Sequence, residues 1–313
     1  MPVVFNRCWR KASASFARGN PEMDVPAHAA LWAMHRHALM SLAVRQQLAT
    51  MLPETLLQLA GAVGASARAT AIPGATRHGT VLILPIVGVL APAGMMTGGT
   101  TYDAIESQVR NGAADRQITA IVLDVRSPGG MVWGCAEAAD AIYETRAIKP
   151  IVAVASPYSF SAAHWLATQA GSYFATKSGE VGSVGVRSGH VDMSGFEGKI
   201  GVRTTVIASS PEKIAAHPYA PLSDEDRAQI QASVDEQSGA FVRAIARGRN
   251  MRAEAVHTVH GSGATFSARR AQIAGAIDGI ASLRDAVSSC TGSRSRSALM
   301  RRQAEAMEQS LKL

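Results

Sequence analysis

Apolar positions change their rhythm twice along this chain. Before Pro53, Leu31, Met34, Leu39, Leu42 and Leu48 recur at helical spacing and predict one or two helices. Small residues punctuated by Gly and Pro then fill Gly61 to Gly74, which reads as a linker. From Thr80 the pattern alternates. VLILPIVGV predicts a strand, and TYDAIESQVRNGA a helix with Tyr102, Ile105 and Val109 on one face. ITAIVLDV is a nearly continuous β-branched run, as in a strand covered on both faces. The turn SPGG at 127–130 follows, then a helix over MVWGCAEAADAIYETRA, a strand PIVAVAS, a short helix from Ser161 to Ala170 and a small strand SYFAT. After the turn-rich GEVGSVGV comes a strand over VRTTVIA, 202–208. Ser223 then caps a long helix with acids in its first turn and arginines near its end. FSARRAQIAGAIDGIASLRDAV closes the folded part as helix, strand and helix. Such alternation predicts an α/β fold with a mostly parallel sheet and crossover helices.

Composition narrows the class. The 313 residues are 47% hydrophobic and 18% charged, which excludes a disordered or fibrous chain. A net charge of +7 is modest at this length and does not demand an acidic partner. Cys8, Cys135 and Cys290 are too far apart for a metal motif or a disulfide framework, which fits a reducing compartment. The basic N-terminus is followed by no apolar run, so no secretory signal is predicted. The uncharged stretch Thr80–Tyr102 is interrupted by Pro85 and Pro92 and reads as a buried strand and loop rather than a membrane span, so a soluble protein is expected. Beyond Ser288 the chain turns basic, with Arg294, Arg296, Arg301, Arg302 and Lys312 against Glu305 and Glu308. Met300, Ala304, Met307 and Leu311 there form a narrow helical seam, read as a solvated end or a docking helix, with a weak nucleic-acid contact the less favoured role.

Two segments could carry chemistry. SPGG lies between a buried strand and a helix, where it is either a tight turn or a source of backbone N–H groups for an oxyanion. Neither it nor GEVGSVGV fits a dinucleotide or phosphate loop. Ser161 stands where a strand, a turn and a helix start meet. It is either an N-cap or a nucleophile whose neighbouring amides sit at the positive end of a helix dipole. A nucleophilic serine needs a base. His164 is too near on its own helix, and His190 and His217 have no recognisable acidic partner. Lys213 is the remaining candidate, and burial would have to lower its pKa for that work; otherwise it is a solvated loop lysine.

Taken in order, LDVRSPGG, FSAAHWLATQA, FATKSGEVGSVGV and the lysine followed by HPYAPLSDEDR resemble the signal peptide peptidase A family of Ser–Lys peptidases, in its phage and prophage head-maturation branch. AGAIDGIASLRDAV resembles the family's last core segment, so the likeness spans about residues 80–287. It implies a Clp-protease/crotonase-like spiral of ββα units, with a helical N-terminal extension and linker over 1–76, a peptidase domain over 77–288 and a basic tail with a short amphipathic helix over 289–313. It implies Ser161 as nucleophile, Lys213 as general base, and the backbone amides of Gly130 and Ala162 as oxyanion donors, with no metal or cofactor. The implied substrates are procapsid proteins such as scaffold and portal, and the implied setting is a homo-oligomer in the bacterial host cytoplasm or within procapsids, with no membrane span. An envelope peptidase, a crotonase-type acyl-CoA enzyme and an inactive assembly protein of the same fold are the competing readings. The chain departs from the family pattern at Ala162 and Ala163, where relatives carry glycines, and at Ser210, Pro211 and Glu212 before the lysine. Glu212 is expected to face outward.

Overall fold

The protein is described from a computed structural model, which covers residues 32–34, 74–95 and 99–291. The helices expected before Pro53 (except at 32–34), the linker and the C-terminal seam lie outside the described residues.

In chain order the elements are β1 (Trp32–Met34), β2 (Thr76–His78), β3 (Val81–Val87), α1 (Tyr102–Ala114), β4 (Ala120–Ser127), β5 (Gly129–Met131), α2 (Cys135–Thr145) and β6 (Ile151–Phe160). There follow α3 (Ala162–Thr168), β7 (Ser172–Ala175), β8 (Glu180–Gly182), α4 (Ser194–Ile200), α5 (Asp224–Arg249), α6 (Ala253–His260), β9 (Thr265–Ser267), α7 (Ala268–Ala274), β10 (Gly279–Ile280) and α8 (Leu283–Thr291).

Eight strands form a mixed sheet in the order β10-β7-β6-β4-β3-β2, with β8 joining β6 to β9. The pairs from β3 through β10 and the β6–β8 pair are parallel; β2–β3 and β8–β9 are antiparallel. The alternation of side chains along β4 explains why its apolar run is unbroken. Ile121, Leu123 and Val125 pack into the large cluster beneath the helices, whereas Ala120 and Val122 meet Ala286, Val287 and Cys290 of α8 on the opposite face. Pro85 is tolerated in β3 because β2 pairs only as far as Ile83.

Most predicted elements are present, and four of the differences matter here. Trp32–Met34, inside the stretch expected to be helical, is a strand that pairs antiparallel with β5. SPGG is more than a turn, because Gly129 and Gly130 belong to β5. β6 runs four residues past the expected end at Ser156, through Pro157, because β8 receives Tyr158 to Phe160 where β7 leaves off. Residues 202–208, expected as a strand, are assigned to none and are exposed throughout. β-Branched residues favour a pleated surface, but no described strand pairs with these. The long helix keeps its predicted cap: the Asp226 N–H donates to the Ser223 hydroxyl at 3.0 Å.

Candidate active site

The C-terminal ends of β4 and β6 deliver the two glycine- and serine-bearing segments side by side, with Ser127 opposite Ser159. Ser127 Oγ donates to the Gly88 carbonyl at 2.7 Å and accepts the Gly129 N–H at 3.1 Å, which fixes the entry to β5. Leu90 lies against one edge of β5: its N–H donates to the Gly129 carbonyl and its carbonyl accepts the Met131 N–H, at 3.0 and 2.8 Å. By strand alternation the Gly130 N–H and carbonyl point to the other edge. A side chain cannot replace the hydrogen at Gly130, since a Cβ there would stand 1.8 Å from the Leu90 carbonyl oxygen.

Ser161 occupies the junction of β6 and α3 with φ 52° and ψ −121°, a backbone conformation that a residue with a side chain adopts only at a cost of about 1–3 kcal/mol. Its N–H donates to the Gly182 carbonyl at 2.8 Å, so β8 holds the junction in this shape. The side chain is 1% exposed and makes no capping bond to α3. The hydroxyl is instead turned toward the Gly185 carbonyl, 3.5 Å away. The simple capping role is therefore absent. Directly after it, Ala162 and Ala163 begin a wholly buried helix whose first N–H groups have no partner within the helix.

Two buried polar groups tie these parts together. The Tyr102 hydroxyl donates to the Met131 carbonyl at the end of β5, at 2.5 Å. The Cys135 thiol lies 3.8 Å from the Ala162 carbonyl, and burial pushes its pKa upward, so it stays a neutral thiol. α3 packs against β5, which brings the Gly130 strand and the Ser161 junction into one neighbourhood.

Histidines are placed elsewhere. His164 is fully buried between the Tyr173 hydroxyl, at 3.1 Å, and His260 Nδ1, at 2.9 Å. Both ring nitrogens of His190 face backbone carbonyls, those of Ala216 and Ala220, at 3.2 Å. His217 Nδ1 accepts the Tyr219 N–H. Lys213 ends a 3-10 turn, Pro211–Lys213, and is exposed in the single chain. No hydrogen bond joins it to Ser161 there. Glu212 is exposed as expected, its carboxylate held below its usual range by the Ser210 hydroxyl and its own amide.

Sequence reasoning gave no role to Gly182 and Gly185, whose carbonyls face the Ser161 junction, or to Arg187. The Arg187 guanidinium is half-buried, with Nε and Nη2 unpartnered, and burial lowers its pKa. The available signal was the two glycines themselves, which take φ 116° and 149° in a segment that reads only as a turn. Among the described residues no group of His, Cys, Asp or Glu could hold a metal ion, and no helix is long and apolar enough to cross a membrane.

Comparison with known proteins gives a consistent set. Residues 143–294 match the sequence model of Peptidase family S49. The chain is 30% identical over 214 residues to "Capsid assembly protease C" of Escherichia phage lambda, covering 66% of this chain and 48% of that protein. It is 31% identical over 212 residues to "Head-tail preconnector protein GP5" of Enterobacteria phage P21, covering 66% and 42%. Against "Putative signal peptide peptidase SppA" of Enterococcus faecium it is 28% identical over 184 residues, covering 58% and 53%. The chain thus spans about half the length of the curated relatives it matches.

Proposed function

The chain carries a Peptidase family S49 domain, and from that premise we propose that it is a serine endopeptidase working through a Ser161–Lys213 dyad. The observation that carries the reading is the conformation of Ser161. A non-glycine residue at φ 52° between a strand and a helix, with its hydroxyl released from capping, is the geometry of a presented nucleophile. The mixed sheet, with paired strand ends feeding α2 and α3, supports a Clp-protease/crotonase-like arrangement.

In the proposed reaction neutral Lys213 takes the proton from Ser161 Oγ as the oxygen attacks a peptide carbonyl. The N–H groups of Gly130 and Ala162 receive the oxyanion, and each such donor is worth about 2.7–4 kcal/mol of barrier. Collapse expels the amine, which takes the proton back from Lys213, and water then hydrolyses the acyl-enzyme by the same route. Burial is what disfavours the charged form of an amine, so the dyad requires Lys213, exposed in the single chain, to be covered. We assign that cover to assembly. Lys213 lies on an excursion, residues 187–222, that also exposes Phe196, Ile200, Val202 and Ile207, and a second copy of the chain would bury both.

The phage relatives' names, a capsid assembly protease and a head-tail preconnector protein, support a role in capsid assembly; procapsid proteins, scaffold or portal, in the host cytoplasm or the procapsid are the substrates proposed. The exposure of Lys213 favours one second reading, an inactive assembly protein of the same fold. Casein cleavage by the full chain separates them. The peptidase reading expects Ser161→Ala and Lys213→Met each to lose activity by about four to six orders of magnitude, as for removal of a triad member. Retention of activity by Ser161→Ala refutes it.

A further inference from the structure

Beyond the catalytic dyad, β1 raises a separate question: why a strand from the far N-terminal part of the chain lies on β5. Trp32, Ala33 and Met34 pair antiparallel with Met131, Gly130 and Gly129. The opposite edge of β5 is taken by Leu90, so β1 lies on the edge to which the Gly130 N–H points. In this register Ala33 faces Gly130 directly, as the pair of an antiparallel ladder that exchanges both peptide hydrogen bonds. A peptide whose carbonyl is to reach the Gly130 N–H has to approach along that same edge. Residues 29–34, AALWAM, carry no charge.

We infer that β1 is an internal peptide ligand: the open edge of β5 binds extended, uncharged peptide segments by strand addition, and Trp32–Met34 occupies it in competition with them. Strand addition of this kind draws affinity from main-chain bonds and is relatively tolerant of sequence. The role of Gly130 in catalysis rests on the peptidase reading, whereas the occupancy of the edge does not.

The test uses the full chain carrying Ser161→Ala, so that nothing is cut, and a fluorescent peptide copying the uncharged residues 29–34. Fluorescence anisotropy is read with and without Ala33→Pro, which removes the strand's central N–H. The variant is expected to bind the peptide at least about tenfold more tightly, because a tethered competitor acts at an effective concentration near millimolar. A peptide with proline at the position of Ala33 is expected not to bind. Equal affinity for the two chains, or binding to neither, overturns the inference. Met34→Pro replaces Ala33→Pro if the latter fails to fold, as judged by circular dichroism. In the unaltered chain, the Gly130 amide should exchange slowly with deuterium, and exchange at the rate of a free amide also overturns it. Loss of casein cleavage in the wild-type chain would refute the peptidase reading while leaving the peptide-binding result standing.

Discussion

His164 and His260 show what burial does to single residues next to the site. Enclosure holds His164 well below the usual imidazole range, with His260 and Arg249 adding repulsion; enclosure and then Arg249 take His260 down to about 3. Both are therefore neutral in the folded chain near pH 7, and the contacts around them are Tyr173, each other, and Arg249 paired to Asp278. The folded state binds fewer protons than the unfolded chain once pH falls below about 6.5, so stability is intact above that value and declines towards about pH 3. Melting temperature should fall steeply between pH 7 and 5. His260→Gln should reduce the pH slope by about one proton, or about 1.4 kcal/mol per pH unit. An unchanged slope contradicts the assignment. Sequence alone could set aside His164 as base from its spacing to Ser161, but not see its partner 96 positions away.

Among elements, β5 and α3 matter most, since their relative placement fixes the distance between Gly130 and Ser161. Tyr102 on α1 acts on that placement without touching the reacting atoms: its hydroxyl holds the Met131 carbonyl. Tyr102→Phe leaves a buried acceptor unpaired and should cost about 1–3 kcal/mol of stability, measured by urea unfolding. In casein kinetics kcat should fall more than KM, as expected when transition-state alignment and not ground-state binding is disturbed; a change in KM alone would place Tyr102 outside the site. Much at this scale was legible. The apolar runs, helical spacing and capping signals located β3, β4, α1 and α5, because each pattern is local. The pairing of β1 with β5 and the extension of β6 through Pro157 were not, because both depend on partners remote in sequence. Residues 202–208 mislead in the opposite direction: their β-branched content invites a strand, but no described strand pairs with them.

At the scale of the whole molecule, the exposed apolar side chains concentrate on the excursion that carries Lys213. Ile207 is 92% exposed. If copies of the chain cover this segment, activity per chain should rise with concentration, and Ile207→Asp should lower both the assembled fraction in sedimentation and the casein rate by about tenfold, the effect of roughly 1.4 kcal/mol at an interface. An unaltered sedimentation profile would remove assembly as the means of burying the lysine. The need for such cover was visible in the sequence as a chemical requirement on Lys213, but not its source, since an interface is a property of two chains.

The central claim, that Ser161 is an activated nucleophile, is tested most directly by labelling the assembled full chain with a fluorophosphonate probe and mapping the adduct by mass spectrometry. The account predicts one adduct, on Ser161, formed by the wild-type chain and lost in Lys213→Met. A chain that cleaves casein yet carries the adduct on another serine, or labels Ser161 equally well without Lys213, would contradict it.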